Sequence, residues 1–169
     1  MRRMKKRYII VIACFIVLLS GFTLFLRFIN QPKTIEYQIS DEIGADEESI
    51  KFFDEQYFGQ YQIVGFEYAS EKYGVARIHV SEDPKVEEIR TADQMLRRAE
   101  KVWNYPMSAD GEDIYTFLCA NEELDSILWI EEDHKSSFTV EHYPSVINIV
   151  HNPGYAEYYL LDKNGNELR

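Results

Sequence analysis

The sequence contains few of the residue patterns that usually reveal a function. Its 169 residues include two cysteines, Cys14 and Cys119, so that no disulfide can form within the part of the chain that holds only Cys119. It has no Asn-x-Ser/Thr glycosylation acceptor, no zinc-binding His-Glu-x-x-His, no nucleophile motif Gly-x-Ser-x-Gly and no glycine-rich phosphate loop. These absences favour a bacterial surface protein and leave no recognisable enzyme class.

Charge is divided unevenly along the chain. All 29 acidic residues follow residue 32, where they meet only 12 of the 18 basic ones, which gives this part a formal charge of −17. Such a domain repels phosphate groups, and so nucleic acid and anionic lipid head groups are excluded as partners. Soluble cations or a basic partner suit it better, although the charge can also serve solubility alone.

One long stretch, Tyr8–Leu26, carries neither charge nor proline. As a helix its nineteen residues span roughly 28 Å, close to the hydrocarbon thickness of a bilayer. Five basic residues precede it, and this bias places the N-terminus in the cytoplasm. We therefore expect a single-pass protein of the cell membrane with an extracytoplasmic C-terminal part. The expected divisions are a basic flank (1–7), an anchor (8–29), a polar tether (30–45) and one acidic domain (46–169).

Two other readings of the first thirty residues stay open. A cleaved signal peptide has a shorter apolar core and a small-x-small cleavage site, for which Gly21-Phe22-Thr23 is a poor candidate. The residues before Cys14 resemble a bacterial lipoprotein signal, but only six apolar residues precede this cysteine and the apolar run continues past it. Retention as a signal-anchor is the prediction, with lipidation of Cys14 as a minor hypothesis.

Two amphipathic helices are predicted in the domain. Asp46–Phe58 has an acidic start and places Ile50, Phe53 and Tyr57 at helical spacing. Asp83–Trp103 begins with an N-cap aspartate and a proline at the first helical position. Its apolar residues repeat every three or four positions, which indicates a helix that packs on a sheet. In the tether a short strand is expected at Ile35–Ile39.

The remaining pattern predicts strands. Gln60–Val80 reads as a hairpin, and Asn164-Gly165 as a type I′ turn that folds the last residues back on the preceding strand. The predicted fold is therefore α+β, with one or two helices packed on an antiparallel, mostly meander sheet. Five further strands are expected at Ile114–Cys119, Leu124–Ile130, Phe138–Tyr143, Val146–His151 and Tyr155–Leu161.

Candidate site residues are few, and no cofactor is implied. His134, His142 and His151 come from neighbouring predicted strands or loops, and with Asp133 they could converge on a divalent metal. Their alternative role is that of solvated strand and loop residues. The segment Asp162–Glu167 fails as a calcium loop, because its glycine stands at the fourth position and the chain ends before the twelfth.

Three functions remain compatible with the sequence. The first is a non-catalytic binding, accessory or sensory module that acts beside another membrane or surface protein and is held at the membrane by Tyr8–Leu26. The second is a surface hydrolase with an unfamiliar carboxylate and histidine site. The third is a domain that responds to divalent cations. The missing motifs favour the first and argue against an enzyme.

Overall fold

The computed structural model describes residues 33–132, 134–152, 154 and 156–168, and the predicted anchor Tyr8–Leu26 lies outside them. Within those residues no helix is long and apolar enough to cross a membrane. The regular elements, apart from two short 3₁₀ turns, are α1 (Ile35–Ile43), β1 (Lys51–Phe58), β2 (Tyr61–Glu67), β3 (Tyr73–His79), β4 (Lys85–Thr91), β5 (Leu96–Ala99), β6 (Val102–Ala109), β7 (Glu112–Cys119), β8 (Leu124–Glu131), β9 (His134–Thr139), β10 (Ser145–His151) and β11 (Ala156–Asp162).

The strands form three antiparallel sheets. Sheet A is a meander in the order β1-β2-β3-β4, sheet B has the order β10-β7-β6-β5, and sheet C has the order β11-β8-β9. After the β8–β9 hairpin the chain returns to sheet B for β10 and then to sheet C for β11. A small domain with one helix on antiparallel, mostly meander sheets confirms the predicted class in its coarse form, although strands predominate.

The three sheets and helix α1 are stacked as layers, and three clusters of buried apolar residues fill the spaces between them. Alternation along β7 makes sheet B the middle sheet, because Ile114 and Leu118 pack toward sheet A while Phe117 and Cys119 pack toward sheet C. The third cluster lies between α1 and the outer face of sheet A, where Ile39 is fully buried. The order of layers is therefore α1, sheet A, sheet B and sheet C.

Helix α1 replaces the short strand that was expected in the tether. Its first turn is capped by Thr34, whose side chain accepts a hydrogen bond from the Tyr37 amide at 3.0 Å. It ends at Gly44, whose φ of 66° is the left-handed conformation that glycine adopts readily. The apolar residues Ile35, Ile39 and Ile43 repeat at a spacing of four and pack in the cluster with sheet A.

The predicted helix over Asp46–Phe58 is wrong, because most of it is strand β1. A β-bulge at Asp54 inserts one residue between the pairs Phe53↔Gly65 and Glu55↔Val64. The insertion reverses the alternation of faces along the rest of the strand. The supposed apolar face is divided: Phe53 packs toward sheet B, whereas Tyr57 is exposed.

The predicted helix over Asp83–Trp103 is wrong for the same reason. This segment forms β4, a 3₁₀ turn, β5 and the start of β6. The pairing of β4 shifts at Glu87, which puts Val86 and Ile89 on the face toward α1 at a spacing of three. The pairing of β5 shifts at Arg98, so that Leu96 is exposed while Ala99 is buried. The bulge at Glu87 thus imitates the period of a helix.

Later elements follow the prediction more closely. The hairpin over Gln60–Val80 is confirmed by β2 and β3, and four of the five later strands are found within one or two residues of the expected bounds. The prediction for the fifth strand is largely wrong, since β9 spans His134–Thr139 and shares only two residues with the expected Phe138–Tyr143. Its polar first half lies on an exposed sheet edge and shows no apolar alternation. The last residues do return to β11, but only Gly165 of the Asn164-Gly165 pair has a positive φ, so the turn is not type I′.

Candidate functional site

A small polar cleft lies where the edge strand of sheet A meets the edge strand of sheet B. We call it the acidic cleft and define it by six residues, Asp54, Glu55, Glu141, His142, Ser145 and Asn148. Its volume is about 290 Å³, at the small end of the range for ligand sites. Asp54 and Glu55 come from β1, Glu141 and His142 from the segment that leads into β10, and Ser145 and Asn148 from β10 itself. The cleft therefore depends on how the two sheets are joined.

Asp54 connects the two sheets at the cleft. Its φ of 46° is unusual for a residue with a side chain, and it occupies the bulge in β1. This conformation allows the carboxylate to reach across to sheet B, where Oδ2 accepts the Val146 amide of β10 at 2.7 Å. Oδ1 lies 2.9 Å from Nε2 of His142. A bulge that redirects a polar side chain is a common feature of binding sites.

His142 has acceptors at both ring nitrogens. Nε2 faces Asp54, and Nδ1 lies 3.0 Å from the carbonyl oxygen of Pro144. Since a carbonyl can only accept, the bond to Pro144 requires the ring to donate through Nδ1. Both ring nitrogens therefore face acceptors, and His142 serves as a clamp between the two elements.

Two neutral polar residues lie deeper in the cleft. Ser145 is 6% exposed and Asn148 is 9% exposed. The Asn148 carboxamide oxygen accepts a hydrogen bond from Thr116 at 2.8 Å, but its nitrogen has no acceptor among the described residues. The Ser145 hydroxyl likewise has no hydrogen-bond partner in this part of the chain, and His142 does not hydrogen-bond to it. Hydrogen bonding therefore does not connect Ser145 to the base that a serine nucleophile needs.

A second histidine–carboxylate pair lies between sheets B and C. Nδ1 of His151 is 2.8 Å from Oε1 of Glu131, which also accepts the Asn152 amide at 3.0 Å. Burial alone would raise the pKa of Glu131, but the hydrogen bonds from Asn152 and His151 outweigh it and hold this pKa below its usual value. The His151 ring packs edge-on against Tyr115 and Trp129. Neither pair hydrogen-bonds a serine, threonine or cysteine within the described residues.

The predicted metal ligands are divided between these places. His142 belongs to the acidic cleft, His151 pairs with Glu131, and His134 is an exposed residue of β9 opposite Glu131. Asp133 lies outside the described residues. Among the residues that are described, no group of three or more His, Cys, Asp or Glu side chains is placed to hold a metal ion.

Cys119 is a buried small side chain, as the sequence predicted. It is fully buried between sheets B and C, and desolvation, with a further contribution from Asp54, raises the pKa of its thiol to about 12. At neutral pH it is therefore uncharged and unreactive.

Comparisons with known protein families, with curated proteins and with solved structures gave no match. Function must therefore be inferred from the site. Sequence reasoning found His142 but missed its partner Asp54, which nothing distinguishes among 29 acidic residues. Asn148 did give a signal, since it interrupts the apolar run Val146–Val150 at a position that is buried in the sheet.

Proposed function

We propose that this protein is a single-pass membrane protein whose acidic extracytoplasmic domain binds a partner near the membrane surface without catalysing a reaction. The observation that supports binding over catalysis is the state of the acidic cleft. It combines carboxylates with buried polar groups, yet its histidine is held by acceptors at both nitrogens. The cleft therefore has groups that can recognise a ligand and lacks an activated nucleophile.

The proposed location is based on the sequence. The uncharged stretch Tyr8–Leu26 follows five basic residues, and every acidic residue lies beyond it. Helix α1 begins nine residues after Leu26, so the tether is too short to hold the domain far from the bilayer. We infer that a partner meets the domain within a few nanometres of the outer leaflet.

Topology is tested by labelling the protein in intact cells. Glu82→Cys adds a thiol at an exposed residue after β3, in a chain whose Cys14 is replaced by alanine. A membrane-impermeant maleimide should label this variant before the cells are permeabilised. Wild type with the same Cys14→Ala change is the control, because its remaining thiol is buried. Labelling only after permeabilisation would contradict an extracytoplasmic domain.

The absence of catalysis is tested with the purified full chain in a mild detergent. We expect no turnover of a panel of ester, peptide and glycan substrates. Turnover that is lost in an Asp54→Asn or a His151→Ala variant, with the fold intact by circular dichroism, would instead favour the surface hydrolase. A divalent-cation response would appear as a calcium-dependent rise in the melting temperature.

A further inference from the structure

The acidic cleft has one sign of charge. Asp54, Glu55 and Glu141 line it, and its lining includes no lysine or arginine. Asp54 is engaged by the His142 ring and the Val146 amide, but Glu141 has no ion-pair or hydrogen-bond partner among the described residues. Carboxylates at a concave surface concentrate the field and attract cations. This charge alone does not define a site, because the whole domain is acidic.

The buried polar groups give an independent indication of a ligand. The Ser145 hydroxyl and the Asn148 carboxamide nitrogen line the same cleft, both residues are more than nine-tenths buried, and neither group has a hydrogen-bond partner within the described part of the chain. Among the described residues the enclosed side-chain atoms without a partner are Arg77 Nε and Trp129 Nε1, so the Ser145 and Asn148 groups are open to the cleft and available to a ligand. A ligand that offers one donor and one acceptor would satisfy both.

We propose that the acidic cleft binds an alkylammonium group, of the kind carried by a lysine side chain or by a free diamine. Its N–H groups donate to Ser145 and to the carboxylate of Glu141. A peptide that carries the lysine also offers backbone carbonyls as acceptors for Asn148, whereas a free diamine does not. The small volume suits one side chain rather than a whole metabolite.

This inference deepens the proposed function, since it names the ligand chemistry of the same site. It also fits the surrounding charge, because a domain with a formal charge of −17 draws basic segments toward it. A divalent metal is a poorer occupant, as the described residues contain no group of three ligands at metal-binding separation. Glu55 is already partly engaged, since one of its oxygens accepts a hydrogen bond from Gln62 at 2.6 Å.

The test is calorimetric titration of the full chain in detergent with three probes. The first is an acetylated and amidated trilysine peptide, the second is 1,4-diaminobutane, and the third is the trilysine peptide with every side-chain amine acetylated. We expect saturable binding of at least one of the two amines and none of the neutral peptide. Binding of trilysine alone assigns the site to a protein partner, and binding of diaminobutane alone assigns it to free polyamines.

Two variants examine the site itself. Glu141→Gln should weaken amine binding about tenfold, because a charge-assisted hydrogen bond is replaced by a neutral one. Ser145→Ala should weaken it about threefold or more and leave the melting temperature unchanged, because its hydroxyl has no partner to lose. Glu82→Gln removes the same charge outside the cleft and is the matched control, for which we expect less than about a twofold effect.

Four results would overturn the proposal. They are absence of binding by the wild-type chain, equal binding of the acetylated peptide, equal effects of Glu141→Gln and Glu82→Gln, and a saturable heat with calcium chloride that abolishes amine binding. None of them affects the maleimide labelling that tests topology. The ligand assignment can therefore fail while the membrane-anchored arrangement stands, and the reverse also holds.

Discussion

Two histidine–carboxylate pairs in the described part of the domain have similar geometry and different surroundings. In the pair His151–Glu131 the atoms are 2.8 Å apart, the side chains are 13% and 19% exposed, and aromatic rings pack on the imidazole. In the pair His142–Asp54 they are 2.9 Å apart, but the imidazole is 56% exposed at the rim of a cleft. The distance between the two atoms therefore does not distinguish a structural pair from a pair that belongs to a binding site. The exposure of the histidine and the presence of unpaired polar residues beside it do.

The two pairs differ in their surroundings because they lie at different places between the sheets. His151 ends β10 and turns toward sheet C, where it joins the rings that hold sheets B and C together. His142 precedes β10 and meets a carboxylate that a bulge has turned out of sheet A. One pair is therefore part of a core, and the other connects two sheet edges beside a cavity. If this is correct, variants at the first should change stability and variants at the second should change binding.

The largest expected effect is that of Trp129→Ala, which removes the centre of the aromatic core beside His151. The indole stacks on Tyr158 with ring centroids 6.1 Å apart and is tilted against Tyr115 at 5.2 Å. We expect a loss of about 3–5 kcal/mol in the free energy of unfolding, measured by chemical denaturation. Trp129→Phe is the matched control, because the indole nitrogen has no hydrogen-bond partner among the described residues.

Amine binding by Trp129→Ala should remain within about twofold of wild type where the variant is still folded, since its effect is on the core and not on the cleft. A phenylalanine variant that is destabilised as much as the alanine variant would contradict the packing role. It would point instead to an unrecognised bond of the indole nitrogen.

The second effect concerns the carboxylate of the half-buried pair His151–Glu131. Glu131→Gln keeps the size of the side chain but removes the charge that accepts from His151 and twice from Asn152. Hydrogen bonds to charged groups contribute about 1.5–3 kcal/mol, so we expect a loss of that order in the free energy of unfolding at neutral pH. Glu132→Gln is the neighbouring exposed control and should be close to neutral.

Acid titration checks the same variant by the sign of its pH dependence. Because hydrogen bonding holds the pKa of Glu131 below its ordinary value, the ionised carboxylate stabilises the folded state above that ordinary value. This contribution is lost as the pH falls through the lower, folded-state pKa. The difference in unfolding free energy between wild type and Glu131→Gln should therefore narrow in acid. A constant difference would show that the charge is not the cause.

A third effect concerns the backbone beneath the cleft. A Cβ on Gly65 would come within 2.4 Å of the Phe53 ring and 2.6 Å of a Val146 methyl group. These two residues flank the contacts of Asp54, so Gly65→Ala forces sheet A away from β10. We expect a loss of about 1–3 kcal/mol in the free energy of unfolding together with weaker amine binding. Gly154→Ala is the control, because the nearest atom to its Cβ is 3.9 Å away.

The later strands could be predicted because their alternation is regular. Strands β7, β8, β10 and β11 pair regularly except for one shift at the end of β11, and they are bounded by turn residues, so period-two patterns identify them. Strands β1, β4 and β5 could not be predicted, since the bulge at Glu87 brings Val86 and Ile89 onto one face at a spacing of three and the bulges at Asp54 and Arg98 interrupt the alternation. The spacing of apolar residues indicates which of them share a face of a strand. A bulge changes that face, and the local amino-acid composition does not show where the bulge lies.

The candidate site was harder to predict than the fold. The clamp joins Asp54 to His142 and Val146, which lie about ninety residues further along the chain. Their approach depends on the packing of sheet A on sheet B, and no local pattern encodes that. The buried Asn148 was within reach, because an amide inside an apolar strand needs partners. The sequence identified the histidines as a group, and the structure separates them into different environments.

The smallest effect on stability, and the most direct test of the comparison, is that of His142→Ala. Its imidazole is largely exposed, and Asp54 keeps the hydrogen bond from the Val146 amide when the ring is removed. We expect a loss of no more than about 1 kcal/mol in the free energy of unfolding, as for other exposed ion pairs.

His151→Ala is the matched variant and should cost about 2 kcal/mol or more, because it opens the aromatic core and deprives Glu131 of a donor. Removing the His142 ring should also tighten the binding of trilysine, because it frees Oδ1 of Asp54 to accept from the amine. If the two alanine variants were equally unstable, or if His142→Ala weakened amine binding, the distinction between a structural pair and a site pair would fail.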